Sequence, residues 1–192
     1  MKTITLFIFT IALLATQKYS SAQSADDMKA WTDYMTPGPV HEMLAKSNGE
    51  WSEEITFWMD PGSQPSKASG SVTNKMILGG RYQQSTYTGD MMGMPFEGIS
   101  ILAYDNGRKI FQSSWIDNFG TGITNSEGVW DEATKTLTLT GKQTDPARGN
   151  DCTVRETFKI IDDNNQLMEM YGPDPMTGKE YKTMEIKLTR KK

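Results

Sequence analysis

The sequence places five carboxylates within otherwise apolar, strand-like stretches. They are Asp117, Glu127, Glu156, Glu169 and Glu185. Two carboxyl groups enclosed together can differ in pKa and then act as general acid and general base. Ion pairs with lysines on a solvated face are the alternative that this charge pattern favours for most of them. Asp117 is the exception, because it shares strand parity with Phe111 and Trp115 and would face inward with those rings.

Histidine and cysteine chemistry is limited to one residue of each type, His41 and Cys152. A zinc site needs three or four nitrogen, sulfur or oxygen ligands, so we predict no metal site. His41 precedes the strand-like region, and a surface or helix-capping role is favoured for it. Cys152 is expected to be a buried, inert thiol, although the spacing leaves a Cys–His nucleophile pair open.

Arg81 and Arg155 could bind an acidic ligand, because an inward guanidinium holds a carboxylate or phosphate through two parallel hydrogen bonds. Pairing of Arg155 with Glu156 or with an acid of a neighbouring strand is the favoured alternative.

Residues 91–96, MMGMPF, lie between two strand candidates. Unbranched thioethers adapt to irregular apolar partners, so this stretch suits either a ligand portal or side chains folded onto a rim.

The chain from residue 50 onward alternates apolar and polar residues and is divided by turn signals. We identify ten strand candidates at 50–59, 67–78, 81–89, 96–105, 108–117, 121–131, 135–143, 151–162, 166–171 and 179–189. Asn106-Gly107 is the strongest hairpin signal between them. No helix long enough for a parallel crossover interrupts the series. Because closure removes exposed sheet edges, we predict an all-β fold, a closed antiparallel up-and-down barrel of about ten strands.

The first 22 residues have the layout of a secretory signal peptide. Lys2 is followed by an apolar run at 4–15, and small residues precede a cut before Gln23. We therefore predict export, to the periplasm or beyond, with an N-terminal helical segment at 23–49 and the barrel at 50–192. Helix 40–46 follows Pro37-Gly38-Pro39 and is predicted to cap one barrel end.

The balance of charges argues against nucleic acid as a partner, since the formal net charge is −4 and the basic residues are scattered. Beyond the N-terminal segment, no stretch is apolar enough for membrane insertion. The single cysteine excludes a disulfide within the chain. The sequence leaves the oligomeric state open.

Gly49-Glu50-Trp51 resembles the Gly-X-Trp step of the calycin superfamily, which includes lipocalins and fatty-acid-binding proteins. There this step opens the first strand after a short helical turn. The resemblance implies that Trp51 plugs the closed barrel end beneath Lys187 or Arg190 of the last strand. Haem-binding relatives of this fold use a histidine from the strands or late loops, and this chain has none there, so we predict no cofactor.

A closer resemblance covers nearly the whole chain after the signal segment. The stretches PGPVHEMLAKSNGEW, FWMDPG, MILGGRY, YTGDMMGMPFEG, AYDN, SSWIDNFGTGI and YKTMEIKLTR are similar to the domain-of-unknown-function 1579 family of bacteria. Membership implies a calycin-like barrel in an exported protein, and it brings no established activity.

We expect such a barrel to bind a small apolar or amphipathic molecule in its interior. The predicted pocket residues are Phe57, Tyr87, Phe96, Phe111, Trp115 and Asp117, and Trp51 with Arg190 would close the barrel. A cyclase, isomerase or hydrolase that uses Asp117 is one alternative. A filled barrel that acts through its outer surface is the other. A polar cavity with a perturbed carboxylate would favour catalysis, and an empty apolar one would favour binding.

Overall fold

Two short helices precede the strands. The computed structural model describes residues 24–192, so the predicted signal segment at 1–22 lies outside the described residues. Helix α1 spans Ala25–Met35 and helix α2 spans Pro39–Ala45. Ser24 begins α1 with a capping box, because its hydroxyl accepts the Asp27 N–H while the Asp27 carboxylate accepts the Ser24 N–H. Within residues 24–192, neither helix has both the length and the apolar character that spanning a membrane requires.

Ten antiparallel strands follow and close on themselves. Each pairs with its neighbours in the chain, and β1 pairs with β10, which confirms the predicted up-and-down barrel. The strands are β1 Gly49–Phe57, β2 Ser66–Ile77, β3 Tyr82–Met91, β4 Met94–Asp105, β5 Ile110–Asp117, β6 Thr124–Asp131, β7 Thr136–Asp145, β8 Asn150–Ile160, β9 Asn165–Pro173 and β10 Glu180–Arg190.

Two hairpins differ in detail from the sequence prediction. Residues 106–109 join β4 to β5, and the Asp105 carboxylate accepts the N–H groups of Gly107 and Arg108. The Asn-Gly pair therefore lies in a four-residue loop rather than a two-residue turn. The two-residue turn is instead Met92-Gly93, where both residues have positive φ (57° and 81°). The methionine-rich stretch is thus a tight turn with Met92 and Met94 exposed.

The barrel interior holds two apolar clusters. The first surrounds β1 and β10 and contains the buried residues Trp51, Ile55, Phe57, Val72, Met168, Ile186 and Leu188. The second lies beneath α2 and contains Leu44, Phe111, Leu137 and Leu139. Strand alternation explains both, because every second residue of each strand faces inward.

The barrel end below α2 is closed around Trp51, which has no exposed surface. Its indole nitrogen donates to the Ser47 carbonyl at 3.0 Å, and the Arg190 guanidinium lies 4.2 Å from the ring centroid. Arg190 also donates to the carbonyls of Lys46, Asn48 and Asp163. Lys187, the other predicted partner, is exposed.

Glycine is required at the step before Trp51. Gly49 has φ of +116°, a conformation that L side chains rarely adopt. A Cβ atom there would lie 3.2 Å from an Arg190 nitrogen. The Gly-X-Trp step therefore lets the chain turn sharply beneath the arginine that covers the tryptophan.

Candidate functional site

The barrel interior contains a cavity of about 60 Å³ between α2 and the middle of the strands. Its walls combine apolar and polar side chains. The apolar ones are Met43, Leu44, Val72, Leu102, Phe111, Trp130, Leu137, Leu139, Phe158, Ile160, Met168 and Leu188, and the polar ones are Ser47, Asn74, Gln83, Ser85, Tyr87, Ser100, Ser113 and Glu156. At the roughly 30 Å³ that each water molecule takes up in the liquid, this space holds about two waters.

Glu156 is the acidic residue of the cavity wall. It lies on β8 between Leu139 of β7 and Met170 of β9, with Phe158 on the same inward face. Part of its side chain remains accessible because it faces the cavity. Loss of water around the carboxylate raises the pKa of Glu156 to about 7. This carboxyl group can therefore gain or lose a proton near neutral pH.

Glu53 is a second interior carboxyl, on β1 between Trp51 and Ile55. Only 5% of its surface is exposed, and burial raises its pKa to about 7. Space for the carboxylate comes from Gly70 on β2, where an added Cβ would lie 2.8 Å from Glu53 Oε2 and 2.9 Å from the Thr88 carbonyl. Gly70 is therefore needed for the inward position of Glu53.

Tyr87 lies within the influence of both carboxyls. Burial is the main reason that the pKa of its hydroxyl is raised, and the charges of Glu156 and Glu53 add to the effect. Interactions with Ser85 and Ser100 act in the opposite direction. We call Glu53, Tyr87 and Glu156 the interior acidic cluster, because both glutamates affect the pKa of the tyrosine.

Several interior amides hold the α2 segment over the cavity. Gln83 donates to the Leu44 carbonyl at 2.7 Å, and Asn74 donates to the Ser47 carbonyl at 3.3 Å. Gln166 contacts the Ser47 hydroxyl at 3.0 Å. Among the described residues, Glu53 Oε1, Asn74 Oδ1 and Gln166 Oε1 are buried oxygens that receive no hydrogen bond from the protein. The closed end of the interior is therefore rich in hydrogen-bond acceptors.

The six predicted pocket residues do not form one pocket. Tyr87 and Phe111 line the cavity. Phe57, Phe96, Trp115 and Asp117 are not among its walls. Phe57 belongs to the β1 apolar cluster. Phe96 and Trp115 stack with 6.2 Å between centroids and, with Tyr87 and Phe119, form an aromatic cluster at the barrel end opposite α2.

Asp117 serves the turn after β5. Its carboxylate accepts the indole N–H of Trp115 at 2.6 Å and the backbone N–H groups of Phe119 and Gly120. The parity argument fails as a guide to the pocket because Asp117 is the last residue of its strand, where the turn supplies N–H donors. In the structure, the Asp117 carboxylate therefore stabilises the geometry of this turn.

Three other singled-out carboxylates form ion pairs outside the barrel. Glu127 pairs with Arg108, and Glu169 and Glu185 both pair with Lys182.

Arg155 does not face the interior. It binds Glu180 through two nitrogens at 3.0 and 2.7 Å and lies 3.8 Å from the Tyr171 ring centroid. Arg81 is exposed and donates to the Leu78 carbonyl.

His41 is buried and caps α2. Its Nδ1 accepts the Gly38 N–H at 3.1 Å, and its ring packs against Tyr104. Burial lowers the pKa of His41, which keeps the imidazole neutral. Cys152 is a free thiol of intermediate burial. Across residues 24–192, histidine, cysteine and carboxylate side chains nowhere gather in threes to form a metal site.

Glu53 is the site residue that sequence reasoning missed. It lies two residues from both Trp51 and Ile55, and strand parity places all three on the inner face with Phe57. The same parity argument that selected Asp117 therefore also selects Glu53. Glu156 is one of the five carboxylates that the sequence places among apolar residues, but the charge pattern favours an exposed ion pair for it.

Comparison with solved structures supports the barrel. The structure of Rv2717c from M. tuberculosis has a TM-score of 0.61 at 13% identity, covering 82% of this chain and 100% of that one. The S-type phycobiliprotein lyase CPES from Guillardia theta has a TM-score of 0.59 at 10% identity, covering 80% of this chain and 93% of that one. At such identities the likeness shows the fold alone. A comparison with curated proteins found no match.

The sequence model of one protein family matches residues 36–190, which is most of the described chain. This match confirms the resemblance that the short motifs indicate. The chain therefore belongs to the family described as protein of unknown function, DUF1579.

Proposed function

We propose that this protein binds a small amphipathic molecule inside its barrel. The observation that carries the proposal is the interior cavity, whose apolar walls are interrupted by the polar groups of Glu156, Tyr87 and four serines. Apolar walls with a few convergent polar groups are the usual construction of a small-molecule site. The apolar walls would bind the tail of the ligand, and the polar groups would orient its head.

The volume of the cavity limits the ligand. At about 60 Å³, it suits a molecule of a few heavy atoms, and anything larger must displace side chains. Met43 and Met168 both line the cavity and can adjust most readily, because methionine is unbranched. We therefore favour a compact ligand over a long-chain lipid.

A series of straight-chain alcohols tests this proposal by titration calorimetry. Each added methylene should strengthen binding by about 0.8 kcal/mol until the cavity is full, after which affinity should level off. Ser113→Leu puts a larger side chain into the cavity and should abolish binding. Ser114→Leu changes the exposed neighbour and should leave binding intact. Equal affinities in both variants would refute the interior site.

Acid–base catalysis in the barrel interior is the second candidate. The favouring observation is the pair of carboxyls, Glu53 and Glu156, each with a pKa of about 7. A pKa near the working pH suits a general acid or base. If the protein turns over a ligand, Glu156→Gln should abolish turnover while the variant still binds. Unchanged turnover in that variant would exclude this assignment.

We also propose export, which rests on the signal-like residues 1–22. Mass spectrometry of the protein from its native host should find an N-terminus near Gln23 in a fraction outside the cytoplasm. An intact segment 1–22 on the cellular protein would contradict export.

A further inference from the structure

We propose that the interior ligand carries a protonated amine, held by Glu156 and the Tyr87 hydroxyl in the cavity wall, with the negative charge of Glu53 nearby in the interior. This inference deepens the proposed function and rests on it, since it names the chemical class of the head group. The tail would lie against the apolar cavity walls, including Leu137, Leu139 and Phe158.

The charges around the cavity support a cationic head. The described residues that form its walls include Glu156 but no lysine, arginine or histidine. At the closed end, the basic side chain of Arg190 stacks on the Trp51 ring and is engaged with three carbonyls. Two carboxyls thus lie in the interior without a cationic partner from the wall, and a bound ammonium would supply one.

Four other elements carry titratable groups on or around the barrel interior. Glu53 on β1 and Tyr87 on β3 belong to the interior acidic cluster. Asp117 on β5 is held by its own turn, and His41 on α2 packs against Tyr104 with its Nδ1 accepting the Gly38 N–H. The ionisation of the interior is therefore governed by Glu53 and Glu156, with Tyr87 neutral.

Hydrogen-bond capacity points in the same direction as charge. Glu53 and Asn74 are 5% and 7% exposed, and each has a buried oxygen that the protein leaves unpaired. The free atom of Asn74 is its oxygen, since its amide nitrogen donates to the Ser47 carbonyl. A buried acceptor without a donor is unfavourable. An ammonium has three donors and no acceptor, so it complements this interior.

An anionic ligand fits poorly. A carboxylate or phosphate head would bring a like charge next to Glu53 and Glu156, and would have to take up a proton to enter. An alcohol offers one donor and no charge. The predicted order of affinity is therefore amine, then alcohol, then acid, for equal tails.

Calorimetric titration of butylamine, butanol and butyrate against the full chain tests this order at pH 6 and pH 8. Butylamine should bind tightest, and its affinity should rise about tenfold from pH 6 to pH 8 as one carboxyl with a pKa of about 7 ionises. Near pH 7, butylamine binding should release protons, measured as a dependence of the heat on the ionisation enthalpy of the buffer.

Variants separate the head-group contact from general effects. Glu156→Gln should reduce butylamine affinity at pH 8 at least tenfold and leave butanol affinity within twofold. Glu53→Gln should reduce butylamine affinity as well, and serves if the first variant fails to fold. Glu54→Gln, on the exposed neighbour of Glu53, should change nothing.

The outcomes are distinct. Binding of butanol or butyrate as tightly as butylamine would overturn the amine assignment while the interior site stands. Butylamine binding that is indifferent to both inner glutamates would also overturn it. If none of the three compounds binds, the proposed function itself fails and the amine assignment fails with it.

Discussion

Two interior glutamates make the stability of this protein depend on pH. The pKa of Glu53 and that of Glu156 are each about 7 in the folded chain, against 4.5 for the ordinary side chain. Between these values the folded state binds more protons than the unfolded state. The free energy of unfolding therefore falls as pH rises from about 4.5 to 7, by roughly 3 kcal/mol for each carboxyl.

Urea unfolding of Glu156→Gln and of the unmodified protein at pH 5 and pH 8 measures this effect. The variant should lose about half of the fall in stability, because one of the two carboxyls no longer ionises. His41, whose lowered pKa favours the folded state as pH rises through about 6.5, is present in both proteins and cancels in the comparison. Glu127→Gln, an exposed control, should retain the full fall. If the free energy of unfolding fell equally between pH 5 and pH 8 in all three proteins, the desolvation of the Glu156 carboxyl would be contradicted.

At the residue scale, strand parity in the sequence predicts whether a side chain points into the barrel. It predicts less well which other side chains surround it there. Parity places Trp51, Ile55 and Phe57 inside, and Glu53 with them. It cannot say which inward residues meet at one height of the barrel, because that depends on the register of all ten strands. Asp117 shows the difference, since it satisfies the parity rule yet binds the N–H groups of its turn.

At the scale of elements, β1, β10 and the α2 segment close one end of the barrel through a single tryptophan. Trp51→Ala should destabilise the protein by about 3–5 kcal/mol, as deletion of a fully buried aromatic side chain does. Denaturant unfolding measures the loss. Trp31→Ala on the exposed face of α1 is the matched control and should cost less than about 0.5 kcal/mol. Equal effects of the two substitutions would show that Trp51 does not plug the barrel.

Element positions are largely predictable from the sequence, and turn geometry is less so. The ten strand candidates correspond in order to the ten strands, since period-two alternation and turn residues are local signals. Asn106-Gly107 correctly predicts a hairpin between β4 and β5, but the loop has four residues rather than two. Asn106 instead donates to the carbonyls of Asp33, Tyr34 and Thr36, so a tertiary contact with the end of α1 determines its conformation.

At the scale of the whole molecule, closure of the sheet creates the interior in which the proposed function resides. Closure follows from the uninterrupted meander, because open edge strands would leave backbone N–H and C=O groups unpaired. The family resemblance implies closure independently. Neither the meander nor the family resemblance predicts the cavity. Its size depends on which inward positions are large and which are small, such as Phe111 beside Gly128 on the paired strand.

Nuclear magnetic resonance of the methionine methyl groups tests the interior site most directly, because methionines lie both inside and outside the barrel. Met43 and Met168 line the cavity, whereas Met92 and Met176 are 62% and 91% exposed. Saturating butylamine should shift the methyl resonances of Met43 and Met168 and leave those of Met92 and Met176 in place. Shifts confined to the exposed methionines, with the two interior resonances unchanged, would contradict ligand binding within the barrel.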